Sequence, residues 1–146
     1  MRAMRAALLA SILACVTAFA PSHAAESSGY RLIINPRNPA TDVDRRFLED
    51  AFLKKTTRWG TGDVILPVDA GGDSPVRRTF SEDVLGRSVA TVKSYWQQRI
   101  FAGRDLPPPE LPTDAAVVKY VLEHPGAVGY IAAEANLGGA KILIVK

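Results

Sequence analysis

The feature that most constrains this chain is an apolar strand that leads through two glycines into a capped helix, at residues 64–80. A short run rich in β-branched residues predicts a buried strand over Val64–Val68. The pair Gly71–Gly72 then permits a tight turn. Ser74 is a favourable N-cap, and Pro75 suits the first helical position because its missing N–H would have no partner there. The stretch is therefore predicted to be a strand–turn–helix unit.

This unit also predicts an anion site, because a helix start gathers unpaired N–H groups and the positive end of the helix dipole. Arg77, in the first turn, opposes that dipole and needs a negative partner. The partner could be a bound anion or one of the nearby carboxylates of Asp73, Glu82 and Asp83. The candidate ligand-binding residues are Gly72, Asp73, Ser74, Val76 and Arg77. Such units also occur in α/β proteins as purely structural elements, so both interpretations stay open.

Residues 1–24 have the pattern of a secretory signal peptide. Arg2 and Arg5 precede an apolar stretch over residues 6–20, and Ser22-His23-Ala24 offers small residues where a signal peptidase cleaves. We expect cleavage after Ala24 or one residue later. The apolar run is short for a transmembrane helix, so no membrane span is expected after processing, with a retained anchor as the alternative.

Residues 25–146 are long enough for one domain with a modest core. Removal of Arg2 and Arg5 from the 18 basic residues leaves 16, against 15 acidic residues, so the net charge falls to +1. No basic stripe interleaved with aromatic residues is present, and nucleic acid is therefore not an expected partner. The single cysteine, Cys15, lies in the predicted signal peptide, so no disulfide is expected in the mature chain.

Strand and helix patterns alternate along the mature chain, which predicts an α/β fold with a mixed or mostly parallel sheet and helices on its faces. The predicted strands are Tyr30–Ile34, Val64–Val68, Ala127–Ile131 and Ile142–Val145. Predicted helices begin after Thr41, at Pro75, after Ser88 and after Thr113. Thr41 with Asp44 is interpreted as a capping box. Gly86 and Gly103 are expected to end the second and third helices.

Patterns typical of catalysis are missing from the sequence. His124 is the only histidine of the mature chain, and beside Pro125 it is expected to lie at the C-terminal end of a helix. No Cys/His metal spacing, nucleophile elbow or Walker loop is present, so no metal and no cofactor are expected. The sequence therefore predicts a non-enzymatic protein.

Four segments, in this order, resemble one family. They are N-P-R-N-P (Asn35–Pro39), F-L-K-K-T-T-R-W-G-T-G (Phe52–Gly62), P-V-D-A-G-G-D-S-P-V-R-R-T-F (Pro67–Phe80) with V-L-G-R-S (Val84–Ser88) and Y-W-Q-Q-R-I-F-A-G-R (Tyr95–Arg104), and H-P-G-A-V-G-Y-I (His124–Ile131). The set is similar to small periplasmic proteins related to the substrate-binding component of phosphate ABC importers. The resemblance covers about Tyr30 to Val145, and P-G-A-V-G-Y-I is its most specific piece.

The resemblance implies a single lobe of a class II periplasmic-binding-protein-like fold, located in the periplasm. Full-length members have two α/β lobes that close on the ligand, with an arginine, a serine, a glycine and a threonine at the phosphate. Ser74 matches the serine, whereas Ala70, Pro75 and Val76 stand at the other three positions. Weak binding of phosphate or another small anion is therefore expected, with a transporter or periplasmic protein as a partner. The alternative is a protein-interaction module that keeps the fold and has lost the ligand site.

Overall fold

The structure is a computed structural model, and it describes residues 29–146. The predicted signal peptide, with Cys15 and the cleavage site, lies outside the described residues. Within the described part of the chain, none of the helices combines the length and apolar character needed to cross a bilayer.

The described residues form seven strands and four helices, joined by turns and loops. The strands are β1 (Tyr30–Ile34), β2 (Asp42–Val43), β3 (Leu66–Pro67), β4 (Asp69–Ala70), β5 (Glu110–Leu111), β6 (Ala127–Ala132) and β7 (Lys141–Val145). The helices are α1 (Arg45–Phe52), α2 (Pro75–Val84), α3 (Val89–Phe101) and α4 (Asp114–Glu123).

Five of the strands form one mixed sheet in the order β2-β7-β1-β6-β3. β1 pairs antiparallel with both β6 and β7, whereas β2 pairs parallel with β7 and β3 parallel with β6. All four predicted strands contribute to this sheet, so the predicted α/β class and the mixed sheet are confirmed. The two-residue strand β2 was not predicted, since two residues carry no readable periodicity.

The prediction of one continuous strand over Val64–Val68 is wrong. Leu66 and Pro67 form β3 in the main sheet, where the Val68 N–H also donates to the Val128 carbonyl at 2.9 Å, and the next strand, β4, pairs instead with β5 in a separate two-stranded sheet. Val64 is half exposed and makes an isolated bridge with Arg58. Pro67 lacks an N–H, but this removes no bond to β6, because the N–H groups of Leu66 and Val68 are the ones that donate on that side.

The two faces of the main sheet carry separate cores because successive strand residues point to opposite sides. Leu32 and Ile34 face a core covered by α1, α2 and α3, with Phe52 and Phe80 at its centre. Ile33, between them, faces a second core that α4 covers. The alternation along β1 thus places three helices on one face and one helix on the other.

Three of the four helix starts lie where the sequence predicts them. Ser74, Ser88 and Thr113 are the N-caps of α2, α3 and α4, and each side-chain oxygen accepts a hydrogen bond from a first-turn N–H. The predicted capping box at Thr41 is wrong, because the N-cap of α1 is Asp44. Thr41 bonds instead to the adjacent Asp42 carboxylate.

Both predicted helix-ending glycines, Gly86 and Gly103, have positive φ just beyond the C-termini of α2 and α3.

Candidate functional site

A tight turn through Gly71–Asp73 connects the end of β4 to the start of α2. The Ser74 N–H donates to the Gly71 carbonyl at 3.1 Å, which closes the turn. The Ser74 Oγ accepts the Arg77 N–H at 3.2 Å, and Pro75 occupies the first helical position. A strand–turn–helix unit therefore forms here with Ser74 at the helix N-terminus as predicted, but its strand is β4 rather than the predicted Val64–Val68.

The start of α4 lies beside the start of α2. β4 and β5 pair in parallel, Asp69 with Glu110 and Ala70 with Leu111, so their carboxyl ends meet at one edge. Each strand then runs into a helix. Thr113 caps α4 by accepting the Ala116 N–H at 3.1 Å. Sequence reasoning predicted this cap but could not pair two strands that lie 40 residues apart.

A groove of about 470 Å³ opens between these two helix starts. It is lined by Gly29, Ser74, Pro75, Val76, Pro112, Thr113, Asp114, Ala132 and Glu134. Each capping hydroxyl uses its oxygen as an acceptor and still has one O–H to donate. The groove therefore combines two helix N-termini with two hydroxyl donors, an arrangement suited to the oxygens of an anion.

Carboxylates oppose that character at the rim of the groove. Asp114 lies in the first turn of α4, and Glu134 is an exposed residue in the loop after β6. A dianion in the groove would be repelled by both side chains, while water screens the interaction. The groove thus favours a weakly held or singly charged anion.

The Arg77 side chain points into the protein, away from solvent. Its guanidinium lies 3.4 Å from Asp69 and 3.3 Å from Glu110, and it donates to the Ala70 carbonyl at 2.9 Å. The sequence offered Asp73, Glu82 or Asp83 as its carboxylate partner, and that expectation is wrong. The actual partners come from β4 and β5, so Arg77 ties the start of α2 to both strands.

Asp69 and Tyr130 extend this buried cluster into the main sheet. The Tyr130 hydroxyl donates to the Asp69 carboxylate at 2.8 Å and accepts the Ala70 N–H at 3.2 Å. Burial raises the pKa of Asp69 to about 6, although the Arg77 charge and the Tyr130 hydrogen bond act in the opposite direction. Burial, and then the Asp69 charge, also raise the pKa of Tyr130. The cluster fixes the edge from which α2 begins.

Gly72 and Asp73 lie in the turn next to the groove. A Cβ at Gly72 would lie 3.2 Å from the Lys93 Nζ, so the Lys93 ammonium approaches the turn from α3. The exposed Arg78 guanidinium donates to the Asp73 carbonyl at 2.8 Å. Lys93 and Thr113 are two of the polar groups at this end that sequence reasoning did not assign to a site. Both belong to elements that are distant in sequence.

Within residues 29–146 no group of three or more His, Cys, Asp or Glu side chains is placed to hold a metal ion. His124 is the C-cap of α4, where its Nδ1 lies 2.7 Å from the Tyr120 carbonyl. That position confirms its predicted place at a helix C-terminus.

Comparisons in sequence find no matching family model and no matching curated protein. Comparison of structures finds an ABC-type phosphate transport receptor from Vibrio cholerae, with 18% identity and a TM-score of 0.61 over 80% of this chain and 46% of that one. A protein from Clostridium perfringens, assigned as a phosphate ABC transporter substrate-binding protein and solved with bound phosphate, matches with 19% identity and a TM-score of 0.63. This match covers 80% of this chain and 44% of that one.

PstS from Borrelia burgdorferi matches with 13% identity and a TM-score of 0.62, over 81% of this chain and 47% of that one. The chain thus spans less than half the length of each of these solved structures. It has the α/β fold of phosphate ABC transporter substrate-binding proteins and corresponds in extent to a single lobe of them.

Proposed function

We propose that this protein is a non-enzymatic binding domain that holds phosphate or another small oxyanion weakly in the groove between α2 and α4. The observation that carries the proposal is the convergence of two capped helix N-termini on one groove, each with a hydroxyl that can still donate. The shared fold with phosphate receptors supports the same class of ligand.

The predicted site residues take different roles in this proposal. The Ser74 hydroxyl and the Val76 N–H would face the anion, whereas the Arg77 N–H, which the sequence also offered, is already donated to the Ser74 Oγ. The Arg77 guanidinium acts as a positioning group, because it is held by Asp69 and Glu110. Gly72 and Asp73 form the turn that sets the angle of the helix start. Lys93 and Arg78 add positive charge close to that turn.

Weak binding is the expected outcome for this geometry. The groove is open on one side, so water screens each ionic contact to about 0–1 kcal/mol. Ala70, Pro75 and Val76 stand where the resembling family has an arginine, a glycine and a threonine. We expect a dissociation constant of roughly millimolar to high micromolar, which corresponds to about 4–6 kcal/mol. High salt should weaken it further.

A matched pair of serine variants tests the site. Ser74 and Ser88 each cap a helix in the same way, but only Ser74 lines the groove. Ser74→Ala and Ser88→Ala should each destabilise the protein by about 1 kcal/mol. Only Ser74→Ala should weaken phosphate binding in a calorimetric titration. Equal phosphate affinity in the two variants would place the ligand elsewhere.

The proposal includes export to the periplasm after cleavage of the predicted signal peptide, residues 1–24. There the domain would act beside a transporter or another periplasmic protein. N-terminal sequencing of periplasmic material should find a chain that begins at Ala25 or Glu26. An intact Met1 would contradict this part of the proposal.

The second candidate function is a protein-interaction module that has kept the fold and lost the ligand. One observation favours it: the Arg77 side chain is 3% exposed and both of its terminal nitrogens contact protein groups, so it cannot reach a ligand in the groove. This candidate replaces the first if phosphate, sulfate and acetate all fail to bind at millimolar concentration.

A further inference from the structure

The proline ridge, residues 106–112, connects α3 to α4 and has the sequence L-P-P-P-E-L-P. Each proline ring fixes φ at about −65°, and a residue that precedes proline is restricted to extended ψ values. Leu106, Pro107 and Pro108 each precede a proline, and their peptide bonds are trans. Covalent geometry therefore places the start of the ridge in polyproline II, a left-handed helix with three residues per turn.

The exposure of the side chains along the ridge follows this three-residue repeat. Pro108 is buried, and the residues three positions to either side of it, Asp105 and Leu111, are partly buried. Leu111 packs against the core that α4 covers. The other residues of the ridge are exposed: Leu106, Pro107, Pro109, Glu110 and Pro112. Since a polyproline II helix has three edges, one edge faces this protein and two edges face solvent.

Contacts at both ends hold the ridge in place. The Asp69 N–H donates to the Pro109 carbonyl at 2.9 Å, and β5, which follows directly, pairs with β4. Just before the ridge, the Arg99 guanidinium lies 3.1 Å from the Asp105 carboxylate. The exposed edges are therefore presented in a fixed conformation, and a partner that binds them loses little chain entropy.

The backbone of the ridge offers hydrogen-bond acceptors but few donors. The carbonyls of Leu106 and Pro107 accept no hydrogen bond from any of residues 29–146. Residues 107–109 are all proline and have no N–H, so an added β-strand could not pair with them. The free carbonyls suit side-chain donors of another molecule instead.

We propose that the proline ridge is a docking site for a partner protein with an aromatic-lined groove. Proline rings pack on the faces of tryptophan and tyrosine side chains, and the N–H and O–H groups of those side chains donate to backbone carbonyls. Such a groove satisfies both the apolar edges and the free carbonyls of the ridge. The proposal does not depend on an anion in the groove between α2 and α4.

A second copy of this chain does not supply such a groove from residues 29–146. Of the aromatic residues in that range only Phe101 is exposed, at 91%, and its ring carries no hydrogen-bond donor. Both tryptophans, Trp59 and Trp96, are buried. The partner is therefore a different protein.

An NMR titration of the isotopically labelled, processed protein tests the proposal. The probes are an isolated SH3 domain and an isolated WW domain, because both have aromatic-lined grooves for polyproline II segments. We expect saturable shifts of the amide signals of Leu106, Glu110 and Leu111 with at least one of the two domains. Pro107→Ala and Pro109→Ala should each weaken this binding about tenfold, because each removes two methylene groups from the contact.

Pro36→Ala is the matched control, because Pro36 is an exposed proline in the turn after β1. It should leave the affinity unchanged, and the amide spectra of all variants should match that of the wild type outside the substituted segment. Equal weakening by Pro36→Ala, shifts confined to other surfaces, or no binding to either domain at millimolar concentration would overturn the proposal. A dimer seen by light scattering and abolished by Pro107→Ala would overturn it in favour of self-association.

Discussion

The guanidinium of Arg77 lies 3.4 Å from the carboxylate of Asp69, and the two side chains are only 3% and 6% exposed. This buried pair connects the first turn of α2 with β4, and the Tyr130 hydroxyl continues the connection into the main sheet. Arg77 also reaches Glu110 on β5. The pair therefore holds together the elements from which both helix starts at the groove project.

Removal of one partner of the pair should be strongly destabilising. Arg77→Met leaves the Asp69 carboxylate buried without its compensating charge, which typically costs about 3–5 kcal/mol. Urea unfolding measures the effect. Arg78→Met is the control, because Arg78 is exposed and its loss should change the free energy of unfolding by less than about 0.5 kcal/mol. The double variant Asp69→Leu/Arg77→Met should lose less than Arg77→Met alone, and a larger loss would contradict this account.

Asp69 should make stability depend on pH in a direction opposite to that of most carboxylates. Burial raises its pKa from 3.8 to about 6, so the folded state holds the proton more tightly than the unfolded chain does. Its stabilising contribution is complete below about pH 4 and is lost as the pH rises through 6. The unfolding free energy of the wild type, relative to Asp69→Asn, should therefore fall over this window by up to about 3 kcal/mol.

The reference to Asp69→Asn removes other titrations from that comparison. Asp42 and Asp83 have lowered pKa values, so their contribution to the stability of the protein is lost as the pH falls. Wild type and Asp69→Asn both contain these two residues, and their effect therefore cancels in the comparison. A difference between the two proteins that stays constant from about pH 4 to 6 would contradict the raised pKa of Asp69 in the folded state.

Gly126 should tolerate no side chain. Its carbonyl accepts two hydrogen bonds, from the Leu66 N–H at 3.0 Å and the Trp59 Nε1 at 2.9 Å. A Cβ at Gly126 would lie 2.0 Å from the Val64 carbonyl oxygen. Gly126→Ala should therefore lower the free energy of unfolding by about 3 kcal/mol or more.

Gly60→Ala is the matched control for Gly126→Ala, since a Cβ at Gly60 would meet no atom within 4 Å. The unfolding temperature of Gly126→Ala should lie clearly below that of Gly60→Ala. If Gly126→Ala unfolds at the temperature of the wild type, the close approach between Gly126 and the Val64 carbonyl is wrong.

Glu134→Gln should strengthen phosphate binding. Glu134 lines the groove and is exposed, so its charge repels a bound anion while water screens part of the repulsion. Its removal should improve the binding free energy by up to about 1 kcal/mol. Glu123→Gln, at the opposite end of α4, is the control and should leave the affinity unchanged. A weaker affinity in Glu134→Gln would mean that this side chain helps to hold the ligand.

Local patterns predicted much of this fold from the sequence. Periodicity located β1, β6 and β7, the three longer strands of the main sheet, and capping chemistry placed Ser74, Ser88 and Thr113 at helix starts. The resemblance to one lobe of phosphate-binding proteins also agrees with the structural comparisons.

Contacts between distant segments could not be read in the same way. The pairing of β4 with β5 decides that Thr113 lies beside Ser74, and two-residue strands have no periodic signal. The partners of Arg77 come from the same pairing, which explains why its nearby acidic residues were the wrong candidates.

The most direct test of the account is a calorimetric titration of the processed wild-type protein with inorganic phosphate at low and high salt. We predict saturable binding with a dissociation constant of roughly millimolar to high micromolar at low salt, and weaker binding at high salt. Acetate should compete, because the groove carboxylates disfavour a dianion. The absence of any saturable heat at millimolar phosphate would contradict the account and leave the protein as an interaction module.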